Sequence, residues 1–167
     1  MDFGQQSGSH GYLDRTRNKE MKQPNIHGVI VIGDKSVSIT WASGEIDHVD
    51  FSMLINNLAG LSALDDDIMF STVAIGEHGW SLIWENGVEI GSDTAWRIAR
   101  EQAGDATTIT EFSGWRERNR LSLSEAAKVL GITRRMISYY ESGRYLIPKL
   151  VGLACKGWEA EQSHLGR

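Results

Sequence analysis

Between Thr133 and Ser142 the chain sets two arginines, two serine hydroxyls and two phenols on a stretch whose spacing predicts one helix. At 100° per residue, Arg134, Arg135, Ser138, Tyr139 and Ser142 fall within an arc of about 140°. Met136, Ile137 and Tyr140 take the opposite side. A helix built this way buries its apolar face and presents a polar, basic one, the arrangement needed to offer side chains to base edges in a DNA groove. That face is the candidate DNA-contacting surface, with Arg134, Arg135, Ser138 and Tyr139 as its candidate base contacts.

Such a helix must be held by neighbours, and the preceding residues predict them. Glu111 to Asn119 has helical spacing. Ser122-Leu123-Ser124-Glu125 matches a capping box, in which the Ser122 hydroxyl and the Glu125 carboxylate each take a free backbone N–H. A second helix then runs through Ala126, Ala127, Val129 and Leu130. Gly131-Ile132-Thr133 forms a tight turn: Gly131 supplies a positive φ, Ile132 fills the space between helices, and Thr133 caps the next helix. A last helix carries Leu153, Cys155 and Trp158, with the lone Cys155 expected to be a buried, inert thiol.

The stretch LSLSEAAKVLGITRRMISYYESGRYLIP resembles the phage-repressor-like (Cro/C1, or XRE) helix-turn-helix family over about 45 residues. The resemblance implies an all-α DNA-binding bundle in which Arg134, Arg135 and Tyr139 face base edges. Arginine there favours guanine, whose O6 and N7 accept two parallel N–H bonds. It places Ser122, Thr133, Ser142 and Arg144 near phosphates, and pairs Arg116 with Glu141 as a structural ion pair. Leu123 departs from the family, which often has glutamine there to contact phosphate.

Charge supports the division of the chain. The whole carries a formal -5. Residues 1–104 hold 7 Lys and Arg against 15 Asp and Glu, whereas residues 105–167 hold 10 against 7. Phosphate attraction is local, because charges farther apart than about 10 Å are screened, so the acidic total does not exclude a nucleic-acid partner. The sequence predicts a loose tail over 1–26, an acidic α+β domain over 27–104 and a helix-turn-helix domain over 105–167.

In the acidic domain, strands are expected at 28–32, 37–41, 45–50, 69–75, 80–84 and 88–90, forming a small, mostly antiparallel sheet. Helices are expected from Phe51 to Leu61 and, capped by Ser92 and Asp93, to about Ala103. Residues 104–108 read as a linker. The marks VSITWASGEIDHVDFSMLI and WSLIWENGVEIG resemble domain of unknown function 2442, over roughly residues 28–100. That resemblance implies a fold and an architecture, and partners in toxin–antitoxin or regulatory pairs, without chemistry.

Little else suggests a site. His48 beside Asp47 and Asp50, and the run Asp65-Asp66-Asp67, read more readily as a solvated turn and a charged cap than as metal ligands. Trp80 and Trp84 share strand parity and with Trp41 suggest core, a dimer surface or a ligand pocket. No Ser/His/Asp set, P-loop or zinc motif occurs, so no enzyme, metal or cofactor is expected. The layout lacks a signal peptide and a membrane span, and the single cysteine suits a reducing compartment, so the expectation is cytoplasmic. Two functions follow: a homodimeric transcriptional regulator on double-stranded DNA, or a protein-binding module such as an antitoxin with a cognate toxin, using DNA for autoregulation.

Overall fold

A computed structural model describes residues 24–164. The tail expected over 1–26 lies almost wholly outside them.

Alternation of apolar and polar residues builds the first sheet. β1 (Ile26–Gly33), β2 (Ser36–Trp41) and β3 (Ile46–Asp50) form an antiparallel meander in that order. The register sets Val37 opposite both Val31 and Val49, and Ile39 opposite Val29. Side chains two apart share a face, so Val37, Ile39 and Trp41 enter the core while Ser36, Ser38 and Thr40 face outward. After α1 (Ser52–Asn57), a 3₁₀ stretch and α2 (Asp67–Ser71), a second meander follows: β4 (Ala74–Ile75), β5 (Ser81–Ile83) and β6 (Glu89–Gly91). α3 (Ser92–Gln102) then lies against β3. Its Trp96 meets Trp41 edge-on at 5.0 Å. Its Gln102 side chain accepts from the Asp50 N–H at 3.0 Å and donates to the Asp50 carbonyl at 2.7 Å.

Several expectations need correction. The strand expected over 69–75 begins inside α2, because the Asp66 carboxylate accepts the Met69 N–H at 2.8 Å and starts a helix. Only Ala74 and Ile75 pair as strand. The helix expected to Leu61 ends at Asn57, where Leu58 turns extended. Ser92 and Asp93 do not cap α3; Gly91 is its N-cap, and buried Ser92 donates its N–H to Trp80 O at 2.7 Å. Trp84 is buried and donates from Nε1 to Phe70 O, whereas Trp80 is exposed. Trp80 is the C-cap of the 3₁₀ turn at residues 77–79 and precedes β5, so strand parity does not extend to it. Asp47 accepts from Trp41 Nε1 and pairs with Arg100, and Asp50 Oδ1 accepts from the Ser52 N–H. Both carboxylates are thereby committed, leaving His48 without them.

Gly79 shows how tightly the two meanders meet. Its φ is +75°, and a Cβ would lie 2.4 Å from the Ile26 carbonyl oxygen. Gly79→Ala is therefore expected to cost about 2 kcal/mol of stability, read as a lowered thermal midpoint; an unchanged midpoint would contradict this close approach.

The linker expected over 104–108 contains β7 (Ala106–Thr107), which pairs antiparallel with β8 (Ile147–Pro148). The C-terminal half is thus helical with one short ladder: α4 (Ile109–Arg118), α5 (Leu123–Leu130), α6 (Arg134–Glu141) and α7 (Lys149–His164). Its apolar cluster, centred on Phe112, Trp115, Ala126, Ile137 and Tyr140, shares no residue with the cluster around Val37, Trp41 and Trp84. The fold is mixed α and β, with antiparallel sheets first and a helical region after.

Candidate nucleic-acid interface

Each helix end around α6 is satisfied locally. Ser122 Oγ accepts from the Glu125 N–H at 3.2 Å, and Glu125 Oε2 accepts from the Ser122 N–H at 2.8 Å. Thr108 and Glu111 repeat this box at the start of α4, a signal the sequence carried in its T-x-x-E spacing. Hydrogen bonds from the Ser122 hydroxyl and N–H hold the Glu125 carboxyl below its ordinary value, and the Thr108 N–H and hydroxyl do the same for Glu111. A depressed carboxyl stabilises above its unfolded pKa, and that contribution fades as pH falls through the lowered one.

α5 ends at Gly131, which is left-handed at φ +66°. The chain then reverses, and Thr133 Oγ1 accepts from the Met136 N–H at 3.1 Å to begin α6. A substantial side chain at Gly131 would strain the left-handed turn that sets the angle between α5 and α6.

α6 divides cleanly. Ile137 and Tyr140 are buried; Arg134, Arg135 and Ser138 are exposed. Tyr140 is packed edge-on against Phe112 of α4 at 5.6 Å. Burial raises the pKa of its hydroxyl. Tyr139 is half-buried and lies beneath two guanidinium groups, Arg135 at 5.1 Å and Arg144 at 4.7 Å from its ring centre. Arg135 Nε also donates to the Tyr139 hydroxyl. Cation–ring contact of this kind limits the rotamers of a long side chain before it meets a ligand. Tyr145, which sequence reasoning passed over, closes the cluster by meeting Tyr139 at 5.1 Å. Its signal was the aromatic directly after S-G-R.

The remaining named residues surround this cluster. Ser142 Oγ donates to Tyr139 O at 3.2 Å, and Ser122 and Thr133 cap the two helices next to the turn. Arg116 Nε and Nη2 donate to the two Glu141 carboxylate oxygens at 2.5 and 3.2 Å, and Arg116 Nη1 donates to Leu121 O at 2.9 Å. That fork neutralises the carboxylate at the end of α6. Among the described residues, Arg134, Arg135 and Arg144 have no carboxylate within ion-pair distance. The exposed side of α6 therefore carries unopposed positive charge on an overall acidic chain. It is chemically suited to polyanion contact through charge-assisted hydrogen bonds.

Comparison with known proteins places a family match on this part of the chain. Residues 115–150 match the helix-turn-helix family HTH_3, a match that spans α5, the turn and α6. A solved protein of Nitrosomonas europaea ATCC 19718, described as a candidate DNA-binding protein, is 34% identical over 82% of this chain and 87% of its own, with a TM-score of 0.47. No curated protein matches the chain significantly. By its sequence identity and coverage, the chain belongs to the same family as the Nitrosomonas protein, and it carries a helix-turn-helix of the XRE type. No described helix is long and apolar enough to cross a membrane.

Proposed function

We propose that the protein is a sequence-specific transcriptional regulator that inserts α6 into the DNA major groove. The observation carrying this reading is the charge state of α6: among the described residues its exposed arginines have no carboxylate within ion-pair distance, while its one carboxylate is consumed by Arg116. Arg134 and Arg135 reach base edges with Ser138 and Tyr139, and Ser122, Thr133, Ser142 and Arg144 meet the backbone. Residues 27–104 form an associating unit and residues 105–167 the DNA-binding unit, in keeping with the two separate apolar clusters. The resemblance of the first unit to domain of unknown function 2442 fits a role in dimerisation, sensing or partner binding. No catalytic step is assigned to either unit.

A single helix-turn-helix offers a small interface, so the regulator works as a homodimer on two half-sites about 34 Å apart. Selection of bound duplexes from a random pool tests this: the expected product is an inverted repeat with one helical turn between half-site centres. An unenriched pool would contradict the reading. Residues 106–167 alone should bind the selected repeat at least about tenfold more weakly than the full chain, measured by fluorescence anisotropy. Equal affinity would contradict a contribution of the first unit to dimerisation.

A further inference from the structure

The elements α4, α7 and β7 line an open cavity of about 470 Å³, within the range that takes small organic ligands. Phe112, Trp115, Leu153 and Cys155 supply apolar wall. Burial pushes the Cys155 thiol up to about 11, so it is neutral there. Trp115 is 2% exposed, and its Nε1–H has no hydrogen-bond partner.

The rim carries three carboxylates and three cations, and they differ in how they are engaged. Each carboxylate there is already engaged: Glu101 by Arg97, Glu111 in the Thr108 capping box, and Glu159 by Arg118 and Asn119. Lys149 and Lys156 also line the cavity, and neither has a carboxylate within ion-pair distance among the described residues. An apolar wall beside two ammonium groups that lack a carboxylate within ion-pair distance among the described residues defines one ligand class. We propose that this cavity binds a small organic anion, an apolar ring or chain bearing a carboxylate or sulfonate, held at its acidic end by Lys149 and Lys156. Phe112 touches both the cavity and Tyr140 of α6, so an occupant presses on the layer supporting the recognition helix. Its role as an effector site rests on the regulator reading; its role as a binding site does not.

The test uses the full chain without DNA and anilinonaphthalene sulfonate as the probe, with neutral phenylnaphthylamine as its uncharged counterpart. Saturable one-to-one binding of the sulfonate is expected, with weaker binding of the amine. Both lysines are exposed, so Lys149→Gln with Lys156→Gln spares the fold and should weaken the sulfonate about tenfold, the equivalent of two exposed ion pairs. Leu153→Glu, which sets a carboxylate at the mouth, should weaken it as much. No saturable binding, or binding unchanged in both variants, would overturn the site. With the site saturated, affinity for the selected DNA should change by about fivefold or more; an unchanged affinity overturns the effector role. A chain that binds the sulfonate here but binds no DNA keeps the site and defeats the regulator reading.

Discussion

Arg134→Ala and Arg135→Ala are each expected to cost about 1–3 kcal/mol of specific DNA affinity, and together to reduce binding to the non-specific level. Both side chains are exposed on α6 and neither closes an ion pair among the described residues, so their removal leaves the core of Ile137 and Tyr140 untouched. Thermal unfolding should stay within about 0.5 kcal/mol of the parent, as for surface substitutions generally. Arg135 carries an additional expectation, because its guanidinium rests on Tyr139. Tyr139→Phe keeps the ring and removes the hydroxyl acceptor, so it should weaken binding less than Arg135→Ala. Anisotropy titrations on the selected duplex and on a scrambled one separate the two effects. A double variant that retains full discrimination would defeat the assignment of base contacts to this face.

The second large effect falls on stability. Arg116→Ala should destabilise the chain by about 3 kcal/mol, since it strands the Glu141 carboxylate and leaves Leu121 O without its donor. The pair is about one-fifth exposed on each side, which keeps the cost below that of a fully buried pair. Glu141→Gln retains an acceptor for one of the two arginine N–H groups and should cost less than Arg116→Ala. Denaturant unfolding followed by tryptophan fluorescence measures both. Equal stability of Arg116→Ala and the parent would show that the fork contributes nothing to holding α4, the following turn and α6 together.

What was legible in the sequence was whatever is decided within a few residues. The Ser122 box, the left-handed Gly131 and the Thr133 cap each depend on partners three or four positions away, and the period of α6 follows from its own residues. What was not legible is decided at a distance. Thr107 and Ile147 lie 40 positions apart, and two-residue strands offer no period to recognise, so β7 looked like a linker. α2 is too short to show a helical pattern, and its helical start depends on one Asp66 side chain. Trp80 looked equivalent to Trp84 by parity, but the 3₁₀ turn at residues 77–79 shifts the start of alternation. The engagement of Arg135 and Arg144 on Tyr139 is a further contact of this kind. Arg144 meets the ring only because the chain turns sharply after Gly143, which sits at φ +71°.

The central claim is that α6 makes this chain a sequence-specific DNA binder. The most direct measurement is a mobility-shift titration of the full chain on its own promoter region, with unlabelled competitor, at two salt concentrations. A discrete complex that survives non-specific competitor and weakens with salt, by a logarithmic slope of about -0.9 for each phosphate neutralised, is the predicted result. No complex at micromolar protein, or one that competitor removes entirely, would contradict the claim.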